Sequence, residues 1–167
     1  MIPVERRWEI EQSVFIKAAP ERVYAAVADV RSMGRWSPEC VAVRGVPPGP
    51  VPVGARFIGF NRKGPFVWFN GCRVTSAEPG ADFAFRVTTF GLPVALWGYR
   101  FAPEGDGTRV TEYWRDLRTS RRGVLTELLG RIFTGTRPDR RHLANQAGMR
   151  ATLGRLKKAM ESQAVSQ

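Results

Sequence analysis

The sequence predicts an α+β fold: a curved antiparallel sheet closed by a long C-terminal helix, with an internal pocket between them. Three observations predict it. From Val41 to Arg118 the chain is a series of strand-like runs broken by Gly/Pro turn chemistry. Along those runs aromatic side chains occupy one set of alternate positions and arginines the other. Near the C-terminus, His142, Gln146, Met149, Leu153, Leu156 and Met160 recur at spacings of 4, 3, 4, 3 and 4, which is one face of a helix.

The elements follow in order. Trp8, Ile10, Val14 and Ile16 fall on alternate positions, the signature of a half-buried strand. Ala19-Pro20 stops it, and Pro20 suits the first position of a helix through Ala28, where Val23, Tyr24 and Val27 form the apolar stripe. Asp29 is placed to N-cap a second short helix to Met33, which Trp36-Ser37-Pro38 ends. Val41–Val46 is a short β-branched run. The prolines of 47–54 then form a stiff loop, because proline cannot donate to a sheet interior.

Five further strands are predicted at Ala55–Arg62, Phe66–Ser76, Asp82–Phe90, Ala95–Pro103 and Thr108–Arg118. The short links at 63–65, 78–80, 91–93 and 105–107 imply antiparallel neighbours. Val124–Phe133 reads as a helix with Leu125, Leu128, Leu129 and Ile132 on one side, closed by Thr134-Gly135. Pro138 then opens the longer helix to about Met160, and Val165–Gln167 is expected to fray.

Alternation sorts the sheet into two faces. Phe57, Gly59, Trp68, Cys72, Phe83, Phe85, Val87, Trp97, Tyr99, Phe101, Val110 and Trp114 fall inside. Arg56, Arg73, Arg86, Arg100, Arg109 and Arg115 fall outside. Such an inner face needs a cover, and only the last helix is long enough. Asn61, Asn70 and Glu112 share the inner positions with the aromatics. Buried without partners, each would cost roughly 2 kcal/mol or more. They fit the wall of a wet or ligand-filled space better than a solid core.

Composition bounds the rest. The 167 residues are 43% hydrophobic and 11% aromatic, which suits one domain over residues 1–167 with a core at about 8–160. No apolar run is long enough to span a membrane, and Met1–Ile10 lacks the order of a signal peptide. Cys40, Cys72 and the single His142 form no metal-like cluster, so no metal and no cofactor are expected, and a cytoplasmic setting is the simplest reading. Nucleotide-binding glycine motifs and the GxSxG elbow are missing. The net charge is +11, and from Leu117 to Met160 eleven basic residues face only Glu127 and Asp139. That basic C-terminal third is either a solvated surface or a docking face for an anionic membrane or an acidic carrier protein. Nucleic acid is disfavoured as a partner, because no reading motif occurs and the aromatics point inward.

In this order and spacing, the residues resemble a known family. Ala18-Ala19-Pro20-Glu21-Arg22-Val23-Tyr24, Asp29 and Trp36-Ser37-Pro38 carry the first part of the likeness. Val53-Gly54-Ala55-Arg56-Phe57, Asn61-Arg62, Glu78-Pro79-Gly80 and Phe83-Ala84-Phe85 carry the second. Gly107–Glu112 and Gly148–Leu153 complete it. The chain resembles the START-like, Bet v 1-type (SRPBCC) helix-grip superfamily, in its bacterial polyketide cyclase/dehydrase-like branch. That resemblance implies a β-α-α-β6-α order and a deep pocket between sheet and last helix. It implies a small hydrophobic ligand, lipid-like, polyketide-like or otherwise aromatic; separately from the resemblance, a monomer or homodimer is expected. It transfers no catalytic residue, because the superfamily has no single catalytic motif, and it leaves open whether the chain is an enzyme.

Chemistry must therefore come from the residues. Tyr99, Glu112 and His142 are the candidates for proton transfer in a cyclase, aromatase or dehydrase. Each has a plainer reading: a packed tyrosine, a paired carboxylate, a surface or helix-start histidine. Trp36, Phe57, Asn61, Trp68, Asn70, Phe85, Trp97, Trp114, Gln146 and Met149 are the candidate ligand-binding residues. Among them, Asn61 is equally suited to capping the turn before Gly64, and Trp36 to stapling the short helices onto the sheet.

Overall fold

The computed structural model describes residues 7–118 and 140–164. Its elements are β1 (Glu9–Ile16), α1 (Pro20–Ala28), a 3₁₀ turn (Val30–Arg35), β2 (Cys40–Arg44), β3 (Arg56–Lys63), β4 (Phe66–Glu78), β5 (Asp82–Thr89), β6 (Leu92–Glu104), β7 (Gly107–Asp116) and α2 (Arg141–Ala164). The predicted helix at 124–133 and its successor's start at Pro138 lie outside the described residues.

All seven strands join one antiparallel sheet in the order β1-β7-β6-β5-β4-β3-β2. Strands β2 to β7 form a meander, and β1 closes onto β7 from Glu9↔Arg115 to Ile16↔Thr108. The helix α2 packs across β1 and β7. Curvature is helped by register shifts in three pairings, at Cys40/Ala42, Val74/Ser76 and Val87/Thr88, where an extra residue bends the strand. No helix among the described residues is long and apolar enough to cross a membrane.

The two-faced pattern holds. Phe57, Phe83, Phe85, Tyr99, Phe101, Val110 and Trp114 are buried, while Arg56, Arg73, Arg86, Arg100 and Arg115 are exposed. Outside, Arg100 pairs with Glu11, Arg109 with Glu104 and Arg115 with Glu9. Solvent screens these exposed pairs, so they add little to stability. The burial beneath them does more. Ile16, Val23, Tyr24, Phe83, Phe101, Val110, Leu153, Leu156 and Met160 belong to one packed cluster. Tyr24 meets Phe83 and Phe101 edge to face at centroid distances of 6.2 and 5.7 Å.

Most strand ends shift by one or two residues from the sequence reading, and three differences go further. Asp29 opens a 3₁₀ turn to Arg35 instead of an α-helix to Met33, and its carboxylate accepts the Ser32 hydroxyl at 3.0 Å instead of capping a backbone N–H. The β5–β6 link is a two-residue turn, Phe90-Gly91, with φ of +50° and +77°. Two positive φ values suit the tight hairpin, so β6 begins at Leu92 instead of Ala95. Pro93 is tolerated within β6 because it sits at the Val87/Thr88 register shift, beside the turn. Finally, α2 runs beyond Met160 to Ala164.

Candidate functional site

The site is set by which side of α2 looks at the sheet. Arg141, Ala144, Asn145, Gly148 and Thr152 recur at helical spacing and line a cavity of about 120 Å³. That is room for several water molecules. From the sheet, Phe57, Trp68, Phe85 and Trp97 form aromatic walls, and Asn61, Asn70, Tyr99 and Glu112 supply polar atoms. Phe57 and Phe85 meet edge to face at 5.5 Å. Met33, Ser37, Pro38, Glu39 and Cys40 close the side beside the 3₁₀ turn.

The remaining sequence candidates are placed elsewhere. Met149 is fully buried and packs with Ile10, Ala95 and Trp114 in a second cluster. Gln146 lies along a surface groove beside Ile10, Trp114 and Arg115. Trp36 is buried in the main cluster, its carbonyl accepting from Arg155 Nη1 at 3.4 Å, so it staples the 3₁₀ turn to the core. His142 is buried at the start of α2 but does not line the cavity. The reason is common to the helical positions: the apolar stripe of α2 marks what packs, and the cavity lies along the neighbouring stripe of small and polar residues.

Glu112 brings a buried carboxyl to the cavity wall. It is 2% exposed, and its Oε1 accepts the Tyr99 hydroxyl at 2.9 Å. Its Oε2 has no hydrogen-bond partner. Burial pushes the carboxyl up to about 8, only partly opposed by the Tyr99 hydrogen bond. At neutral pH the carboxyl therefore keeps its proton. With Oε1 taken by Tyr99, Oε2 is the atom left to carry it, as a donor without an acceptor on a cavity-lining residue. Burial, and the adjacent Glu112, hold the Tyr99 hydroxyl well above its usual range, so it stays protonated as well.

The asparagines are held in place. Asn70 Oδ1 accepts the Thr89 hydroxyl at 3.1 Å, which leaves its amide N–H₂ to the cavity side. Asn61 Nδ2 donates back to the Gly59 carbonyl at 3.3 Å and caps no turn. Cys40 and Cys72 also line the wall, and burial pushes their thiols up to about 11 and about 12. They are packing thiols, not nucleophiles. Among the described residues no three His, Cys, Asp or Glu side chains converge as a metal site.

At the half-exposed rim, Arg141 Nη2 donates to Glu39 Oε2 at 2.8 Å, and the guanidinium stands 5.8 Å from the Trp68 ring. Sequence reasoning missed both Arg141 and Glu39. It also missed Ala144, Asn145, Gly148 and Thr152. The available signal was Ala144 and Gly148 at i, i+4, two small residues in a helix facing large aromatics.

Comparison with known proteins agrees with this architecture. A search of curated proteins returns no match. Among solved structures, the polyketide cyclase-like protein Cgl2372 of Corynebacterium glutamicum is 28% identical, covering 94% of this chain and 93% of its own, with a TM-score of 0.60. NE0264 of Nitrosomonas europaea is 12% identical, covering 95% and 97%, with a TM-score of 0.65. DynU16, from a dynemicin biosynthetic locus, is 18% identical and covers 94% of this chain but 48% of its own, with a TM-score of 0.59. The last two likenesses speak for the fold alone. The sequence model of one family, polyketide cyclase / dehydrase and lipid transport, matches residues 7–161. With nearly the whole length matched and the helix-grip architecture in place, the chain belongs to the polyketide cyclase/dehydrase and lipid transport family.

Proposed function

We propose that the cavity binds a small, largely apolar organic molecule carrying a carbonyl-type acceptor, and that Glu112 donates a hydrogen bond to that acceptor. One observation carries this reading: a buried, protonated carboxyl whose Oε2 has no partner, on the wall of an aromatic-lined cavity. A buried donor left unmade costs about 1–3 kcal/mol, which a ligand acceptor would recover. The aromatic walls offer the apolar contact, and Tyr99 fixes the carboxyl's orientation.

A second reading, proton-transfer chemistry of the cyclase or dehydrase kind, is favoured by the same acid because its affinity for protons lies near neutral pH. In a dehydration, Glu112 would give its proton to the departing hydroxyl as the C–O bond breaks. The resulting carboxylate would then take the neighbouring C–H proton as the C=C bond forms, releasing water. His142 does not line the cavity, so this reading assigns the step to Glu112.

The test uses 2-acetonaphthone, a flat ketone, and 2-ethylnaphthalene, its hydrocarbon counterpart, in calorimetric titrations. Glu112→Leu should weaken the ketone about tenfold and leave the hydrocarbon unchanged, the size expected for one lost hydrogen bond. Gly148→Phe, which projects a ring into the cavity, should abolish both. Equal binding of both probes to wild type and Gly148→Phe would overturn the binding reading.

A further inference from the structure

Arg141, which lines the cavity at its rim, carries a second unsatisfied polar atom. Arg141 Nη1 is buried and has no hydrogen-bond partner, although Nη2 of the same guanidinium is engaged by Glu39. We infer that the ligand is an organic acid: an apolar ring body whose anionic end meets Arg141 Nη1 while an acceptor at its other end meets Glu112. The inference rests on the proposed binding role of this cavity and names the class of molecule that fits it.

Three features support an anion at that place. A guanidinium offers its donors in a rigid planar fork that matches a carboxylate, and here one prong is engaged by Glu39 and the other is buried without a partner. Trp68 lies beneath the guanidinium at 5.8 Å and the Glu39 bond fixes it from the side, so the free prong is oriented before a ligand arrives. Among the described residues, the charged groups lining the cavity are Glu39, Glu112 and Arg141. Glu112 is protonated at neutral pH, so it does not repel an anion. That leaves Glu39 as the competing carboxylate, and it is also the half-exposed one, with 26% of its side chain in solvent against 17% for Arg141. Water screens Glu39 while the buried Nη1 remains the poorer-solvated and stronger partner. The chain's net charge of +11 adds a favourable field for anionic ligands generally.

This arrangement also explains why a cation stands in a wall whose other ionisable side chains include the carboxyls of Glu39 and Glu112. An arginine that served only to pair Glu39 across the rim would need no buried nitrogen. Burying one without a partner costs more than leaving it in water, and a bound carboxylate removes that cost.

The test compares 2-naphthoate with 2-naphthamide, the same rings with and without the charge, by calorimetry at pH 7. Wild type should prefer the acid by about tenfold or more, the scale of one charge-assisted pair. Arg141→Met should erase that preference, bringing the acid down to the affinity of the amide. Glu39→Gln keeps a hydrogen-bond acceptor for Nη2 and removes the competing charge, so it should widen the preference for naphthoate over naphthamide. A naphthoate preference that survives Arg141→Met, or none in wild type, would overturn the inference while the ketone still binds. Failure of 2-acetonaphthone itself to bind would instead overturn the cavity's proposed role.

Discussion

Under the C-terminal half of α2, Leu153, Leu156 and Met160 are buried in the same cluster as Ile16, Val23, Phe83 and Phe101. Under its first half, Arg141, Ala144, Asn145 and Gly148 border open space, facing Trp68, Phe85, Trp97 and Glu112. One helix and one sheet thus make a solid core at one end and a cavity at the other. The difference lies in side-chain size along α2. Leucine and methionine reach the sheet, whereas alanine and glycine at the same helical spacing stop short of it. Stability and binding are in this way assigned to different ends of one helix.

The largest expected effect tests that division from the filled end. Phe83 is fully buried and contacts Tyr24 and Phe85 at ring distances of 6.2 Å each. Phe83→Ala should cost about 4 kcal/mol and lower Tm by about 10 °C. Ketone affinity at the other end should fall much less than stability does, because Phe83 reaches the cavity only through its ring contact with Phe85. Differential scanning calorimetry and titration of the same preparation check both halves of the statement. A loss of affinity as large as the loss of stability would mean that the two ends are one cooperative unit.

A smaller effect comes from the cavity end, through pH. The Glu112 carboxyl titrates near 4.5 when unfolded and at about 8 when folded. Its folded value is raised, so its contribution is fully present below about 4.5 and is lost as pH rises toward 8. Relative to Glu112→Gln, whose amide does not titrate, wild type should therefore lose stability steadily across that window and then level off. The total change should be on the order of 2–3 kcal/mol, since solvent entry and local relaxation reduce the full burial penalty. Urea melts of both proteins at several pH values measure it. A difference that stays flat from pH 5 to 8 would show that Glu112 is ionised throughout, and the donor role would fall with it.

Much of this division was legible in the sequence, though unevenly. The alternation of aromatics with arginines gave the sheet and its two faces, because a period of two leaves each side chain a single choice of face. It therefore also placed Phe57, Trp68, Phe85, Trp97, Tyr99 and Glu112 on the wall. The helix was harder. At 3.6 residues per turn, a stripe of Met149, Leu153, Leu156 and Met160 identifies the packed side, but a cavity is bordered by what does not pack. Gln146 and His142 were therefore drawn into the site by their spacing, and Asn145 and Gly148 were passed over. Arg141 and Glu39 were beyond reach for another reason: their pairing joins positions far apart in the chain, and single-sequence spacing says nothing about such contacts. The 3₁₀ turn after Asp29 belongs to the same class, since a local cap signal does not distinguish the two helical forms.

The smallest expected effect separates the two ends most cleanly, because it uses the same substitution twice on one helix. Gly148 and Gly154 both lie inside α2. A methyl group at Gly154 would meet nothing within 4 Å, and one at Gly148 would meet only Pro38 Cγ, at 3.8 Å. Neither alanine is strained, so each should gain about 0.5–1 kcal/mol from helix propensity and raise Tm by about 2–3 °C. Stability alone cannot tell them apart. Binding can: Gly154 is exposed and away from the cavity, so Gly154→Ala should leave ketone affinity untouched. Gly148 lines the cavity, so Gly148→Ala should weaken the ketone about two- to fivefold as the methyl takes ligand space. If both alanines raise Tm and neither changes binding, then the small residues of α2 do not set the room beneath it. The open end would then have to be explained by the sheet's curvature alone.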